Sequence, residues 1–129
     1  MAMQFRCAYA TDDYDGTIAF YKTLGLEIVE FWDRSDDDKG TLFRAASGII
    51  EVVKRSTEHG DWEKDAAQGF TIVIETENVD RLFETISERG LQAAEGLRDQ
   101  TWGHRSFRMK DPNGVHLYFF SEVEAKNNG

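Results

Sequence analysis

The chain is poor in the residues that staple or interrupt a fold: 129 residues hold one cysteine and one proline. A single thiol excludes an intrachain disulfide and agrees with a cytoplasmic protein. That cysteine, Cys7, lies within the apolar stretch "QFRCAYA" with no neighbouring group to lower its pKa, so it reads as a small buried hydrophobe, not a nucleophile. Basic residues are also scarce. Fifteen Lys and Arg face 24 Asp and Glu, a net charge of −9, which argues against nucleic acid and against an anionic membrane surface as partners. No apolar run approaches the length of a membrane span, and the N-terminus has neither a long apolar stretch nor a small-residue cleavage pattern. There is no P-loop, no Gly-rich dinucleotide turn, no CxxC and no nucleophile elbow, which removes the commonest nucleotide, redox and serine-hydrolase chemistries.

What remains is a chain of ordinary globular composition, 40% hydrophobic and 30% charged, long enough to bury a core of its own. Its acidic residues gather in "TDDYDG", "DRSDDDKG" and "EHGDWEKD", the pattern of solvated loops. Period sorts the rest. "QFRCAYA" predicts a strand and "DYDGTIAFYKTLG" a helix with Tyr14, Ile18 and Tyr21 on one face and Gly25 as its stop. "LEIVEFW", "TLFRAA" and "IIEVVK" predict three strands, with a polar loop through Gly40 and a Ser-Gly turn at 47–48 between them. Residues 57–69 read as a polar connector. "FTIVIET" then predicts a strand, and "VDRLFETISERG" a helix with Val79, Leu82, Phe83 and Ile86 along one stripe. "LQAAEGL", "HRSFRMK" and "VHLYFF" close the series, the last entered through the turn Asp111-Pro112-Asn113-Gly114.

The order βαβββ therefore occurs twice. The spacing that carries Gly25-Leu26 onto Gly90-Leu91 also carries Asp13 onto Asn78, both N-cap types, and Arg6 onto Thr71, expected in the middle of each first strand. The expectation is an α+β fold of two tandem βαβββ modules, one at 1–56 and one at 70–122, within one domain of 129 residues. Each helix would cover one face of its sheet. The two other faces would curl into a cup-shaped half-barrel, the place for a ligand.

The stretches "DYDGTIAFYKTLGLEIV", "ENVDRLFETISERG" and "WGHRSFRMKDPNG" resemble the vicinal oxygen chelate superfamily, which includes glyoxalase I, extradiol dioxygenases and the bleomycin and fosfomycin resistance proteins. The resemblance runs over essentially the whole chain, and its last part is nearest to bleomycin resistance-like members, which bind a drug without transforming it. It implies metal-ligand positions on the first and last strand of each unit. Counted from the capping residues and from Gly114, these are Arg6, Glu51, Thr71 and Tyr118. Arg stays protonated and offers only donors, and Thr and Tyr are poor ligands for zinc, nickel or iron. One carboxylate does not make a catalytic metal centre, which takes about three protein ligands. The expected reading is a metal-free protein in which Arg6 takes the cation's place beside Glu51, with no cofactor; zinc, nickel, manganese or iron in altered geometry stays open.

Strand alternation supplies the remaining candidates. Gln4, Arg6 and Ala8 should face away from the first helix, as should His104, Ser106 and Arg108 on the seventh strand and His116, Tyr118 and Phe120 on the last. The resemblance places Trp102 near a drug groove, where it would stack on a planar or cationic ligand; a rim or interface aromatic is an equal alternative. Trp32 and Trp62 read as packing and His59 as a solvated loop residue. The candidate ligand-binding set is Arg6, Glu51, Trp102, His104, Arg108, His116 and Tyr118. The expected function is sequestration of a small antibiotic-like, cationic or aromatic ligand by a homodimer. The alternative is a glyoxalase-type lyase or isomerase, or a dioxygenase, using a metal or using His116, Tyr118 or Glu51 as acid–base groups. A third reading is an interaction module whose cup is filled by its own side chains.

Overall fold

The computed structural model describes residues 3–56 and 70–123, so the expected connector, with His59 and Trp62, lies outside the described residues. The chain divides into two compact units, Met1–Ala67 and Gln68–Gly129. Unit one contains β1 (Arg6–Thr11), α1 (Tyr14–Leu24), β2 (Glu27–Ser35), β3 (Asp38–Ala45) and β4 (Gly48–Lys54). Unit two contains β5 (Thr71–Glu75), α2 (Val79–Glu88), β6 (Glu95–Asp99), β7 (His104–Lys110) and β8 (His116–Glu122). Each has one four-stranded sheet, ordered β1-β4-β3-β2 and β5-β8-β7-β6. The first strand pairs in parallel with the last, and the other ladders are antiparallel. This is the expected doubled βαβββ order. No helix among the described residues is long and apolar enough to cross a membrane.

Both helices start and stop as their sequences direct. Asp13 accepts a hydrogen bond from the Gly16 amide at 3.1 Å, and Asn78 accepts one from the Arg81 amide at 3.1 Å. At the other end Gly25 and Gly90 have φ of 102° and 87°, the left-handed conformation that glycine enters without cost. The amides that follow them reach back alike, Leu26 to the Tyr21 carbonyl and Leu91 to that of Ile86. In α1 the buried stripe is Thr17, Tyr21 and Leu24. Ile18 is only half-buried, because Thr17, bonded to the Asp13 carbonyl at 2.6 Å, takes the inner position. Tyr21 is wholly buried, its ring 5.4 Å from Phe43 and its hydroxyl 3.2 Å from that of Tyr9. In α2, Val79 and Ile86 are buried, and Phe83 meets the edge of Phe107, which in turn stacks on Phe119. Burial of this apolar stripe against the sheet, more than helix propensity, holds such short helices.

Several boundaries differ from the expectation. Gly40 is not in a loop: the β2–β3 turn sits at residues 36 and 37, and Gly40 pairs with Trp32 inside the ladder. The indole lies so close over Gly40 that an added Cβ would fall 2.1 Å from its Cη2. Glycine is there because a ring occupies the space of a side chain. Trp32 thus stands within β2, as packing, with its Nε1 donating to Asp38 Oδ1 at 2.9 Å. The β3–β4 turn is Ala46-Ser47, and Gly48 already belongs to β4. Strand β6 begins at Glu95, not at Leu91, and Arg6 and Thr71 open their strands rather than occupying the middle. In the last turn Asp111 is buried and accepts from the Asn113 and Val115 amides at 2.8 and 2.9 Å. The acidic residue of "DPNG", more than the proline, locks this hairpin.

Candidate functional site

Helix and sheet together leave each unit a second face, here called the far face. On unit one, ladder register places Arg6, Ala8, Ile49, Glu51, Leu42 and Trp32 there, and Cys7 and Tyr9 on the helix side. Arg6 and Glu51 are far apart in sequence, but the parallel β1–β4 pairing brings them to a diagonal contact. Arg6 Nη1 donates to Glu51 Oε1 at 3.2 Å, and Arg6 Nε to Gln4 Oε1 at 2.8 Å. The side chains are 44% and 21% exposed, so solvent screens the attraction and the pair adds about 0–1 kcal/mol. It serves to satisfy the carboxylate more than to stabilise the sheet. Cys7 is half-buried, and burial pushes its thiol pKa up, which makes it a poor nucleophile.

On unit two the far face carries His104, Ser106, Arg108, His116, Tyr118 and Phe120, as alternation requires. At one end stands an aromatic cluster. His104 stacks on Phe120 with ring centres 3.9 Å apart, and Tyr118 lies 5.9 Å from Phe120. Trp102 is exposed, and its Nε1 donates to His104 Nδ1 at 3.1 Å. An indole nitrogen only donates, so Nδ1 is an acceptor and the imidazole proton sits on Nε2. The Tyr118 hydroxyl lies 3.3 Å from the same Nδ1. At the other end are Arg108, directly across the ladder from Tyr118, and His116, directly across from Lys110 and Thr71. The Nε of Arg108 and the Nδ1 of His116 are buried without a hydrogen-bond partner among the described residues.

Of the seven candidate residues, Arg6 and Glu51 are therefore in contact in unit one. Trp102, His104 and Tyr118 are in contact in unit two, with Arg108 and His116 on the same face. Sequence reading left out Gln100, whose Nε2 donates to Ser106 Oγ at 3.0 Å and so ties the Trp102 loop to β7. A loop glutamine gives no periodic signal. Val73, exposed and opposite Tyr118, was also left out, although alternation along β5 places it on this face.

A sequence model described as the Glyoxalase/Bleomycin resistance protein/Dioxygenase superfamily matches residues 4–119. The chain belongs to that superfamily. A search of curated proteins finds no match. Among solved structures, TioX from Micromonospora sp. ML1 superposes with a TM-score of 0.74 at 17% identity, covering 95% of this chain and 100% of that one. A glyoxalase/bleomycin resistance protein/dioxygenase from Nocardioides gives 0.70 at 19%, covering 100% and 89%. A lactoylglutathione lyase from Agrobacterium tumefaciens gives 0.68 at 16%, covering 94% of each. At these identities the likeness speaks to fold.

The superfamily's metal positions can be tested against the ladders. Glu51 pairs with Ala8 and Tyr118 with Val73, each two residues after Arg6 and Thr71, so Glu51 and Tyr118 are equivalent and His116 corresponds to Ile49. The four positions that the resemblance implies hold Arg6, Glu51, Thr71 and Tyr118, and the one carboxylate among them is bound to a guanidinium. This donor set does not fit a divalent ion. No group of three His, Cys, Asp or Glu side chains among the described residues has the geometry to hold one.

Proposed function

We propose that this superfamily member is a metal-free binding protein for a small planar aromatic ligand, acting by sequestration as a homodimer in the cytoplasm. The observation that carries the reading is the Arg6–Glu51 contact at 3.2 Å, which satisfies with a guanidinium the one carboxylate at the ligand positions. The Trp102–His104–Phe120 cluster supports the second half of it: an exposed indole held by a hydrogen bond is an edge against which a planar or cationic ring can stack. Sequestration needs affinity and no chemistry, so a protein of this fold can dispense with the metal.

The test has two arms. Metal analysis of the purified protein should give far less than one zinc, nickel, manganese or iron per chain. A thermal-shift screen against these metals and a panel of planar cationic and aromatic drugs should raise the midpoint with at least one aromatic compound and with no metal, since a ligand that binds only the native state must stabilise it. Stoichiometric metal refutes the proposal, as does a panel without a single shift. Light scattering of the eluted protein checks the dimer.

One observation favours an acid–base enzyme as a second reading. The Tyr118 hydroxyl and His104 Nδ1 are within 3.3 Å, a spacing across which a proton can move. Turnover lost in both Tyr118→Phe and His104→Gln would support it.

A further inference from the structure

Arg108 stands out among the half-buried arginines of the described residues, Arg55, Arg105 and Arg108. Arg6, Arg34, Arg44, Arg55, Arg98 and Arg105 each lie within 4.0 Å of a carboxylate. Arg108 is half-buried, its Nε is fully covered, and its side chain has no hydrogen-bond or ion-pair partner among the described residues. The nearest carboxylate by register, Glu95 across the β6–β7 ladder, contacts Arg98 instead at 3.7 Å. The fold does not demand an arginine here: by ladder register the same place in unit one is Leu42, buried opposite Glu51 as Arg108 stands opposite Tyr118. A guanidinium whose covered Nε meets no acceptor is costly in the protein alone and suited to an anion supplied from outside. Diagonal to it, about 7–8 Å away in such a ladder, is His116, whose Nδ1 is the second buried nitrogen without a partner on this face. Tyr118 stands directly opposite Arg108 and two residues from His116 along β8, and its ring leads on to Phe120 and His104.

We propose that the far face of unit two binds an aromatic carboxylate, with the carboxylate on Arg108 and His116 and the ring against Tyr118 and the Trp102 edge. This deepens the binding role proposed above and rests on it. A guanidinium presents planar paired donors matched to a carboxylate, which makes Arg the suited residue and Lys a partial substitute. By register this face holds Glu75, Glu95 and Glu122 as well as Arg98, Arg108 and Lys110, so the preference for an acid is local to Arg108, whose register partner Glu95 contacts Arg98.

The test compares 2-naphthoate, 2-naphthamide and 2-naphthylmethylammonium by isothermal titration. The expected order is naphthoate at least tenfold tighter than naphthamide, with the ammonium compound weakest. Arg108→Gln should erase the preference for naphthoate over naphthamide while leaving naphthamide binding in place, and Arg108→Lys should keep part of it. Trp102→Ala should weaken all probes alike. Equal affinities for acid and amide, or a preference that survives Arg108→Gln, overturn the carboxylate inference while leaving aromatic binding standing. No binding of any probe at millimolar concentration overturns both. Because Arg108 has no protein partner to lose, Arg108→Gln should melt no lower than the parent, and that separates loss of affinity from loss of fold.

Discussion

Replacing Gly40 by alanine inverts an ordinary expectation. In a strand interior Gly→Ala stabilises by roughly 0.5–1 kcal/mol, because glycine loses more backbone freedom on folding. Here the new Cβ would lie 2.1, 2.2 and 2.5 Å from three carbons of the Trp32 ring. Carbon atoms rest at about 3.5–4.0 Å, so the indole must lift by ~1.5 Å. It is not free to swing, since its Nε1 is tied to Asp38. Overpacking costs about 1–3 kcal/mol, and giving up that hydrogen bond costs roughly 0.5–1.5 kcal/mol more. Gly40→Ala should therefore destabilise by about 2–4 kcal/mol, which for a chain of this size lowers the melting midpoint by roughly 6–15 °C. Urea denaturation, with near-ultraviolet circular dichroism to report the indole environment, measures it. Trp32→Ala should also destabilise, but in that background Gly40→Ala should become neutral or favourable, giving a coupling of ~2 kcal/mol or more. A Gly40→Ala protein as stable as the parent, with an unchanged tryptophan spectrum, would refute the steric argument.

Three other outcomes can be checked on the same material. Asp111→Ala removes a buried acceptor from two backbone amides and should cost about 2–4 kcal/mol in urea denaturation, with Asp111→Asn recovering part because its amide oxygen still accepts. Burial raises the Tyr14 phenol pKa above its usual value of 10, partly countered by the Thr41 hydrogen bond. Its contribution is fully present below pH 10 and is lost as pH rises through the raised value, so the alkaline decline in stability should be shallower in Tyr14→Phe. Cys7, with its thiol pKa raised by burial, should react with iodoacetamide at pH 8 more slowly than a free cysteine; an equal rate would count against its helix-side placement.

How far the sequence could be read follows from which forces leave a local trace. Caps do: Asp13, Asn78, Gly25 and Gly90 are recognisable because each answers a backbone group within a few residues. Alternation does as well, and it placed Arg6, Arg108, His116 and Tyr118 on the faces away from the helices. The boundaries that slipped were those decided across a ladder. Gly40 looks like a loop residue until Trp32 is laid over it, and Asp111 looks like a surface turn residue until its carboxylate is seen buried beneath two amides. The unpaired state of Arg108 could not be read at all. Glu95 is its register partner, and only the three-dimensional arrangement shows Glu95 spent on Arg98.

The two ladders also record where this fold lets its length vary. Relative to the first strand, unit two has gained one residue by its third strand and one more by its fourth, yet Arg108 still faces Tyr118 as Leu42 faces Glu51. The second gain lies in the turn, where Asp111 and Val115 close a longer loop than Ala45 and Gly48. One residue inserted within a strand would have turned every later side chain to the opposite face, exchanging Tyr118 for Leu117. Hairpin tips are thus the joints at which such a protein can be lengthened, by mutation or by an engineer, while the residues offered to a ligand keep their address.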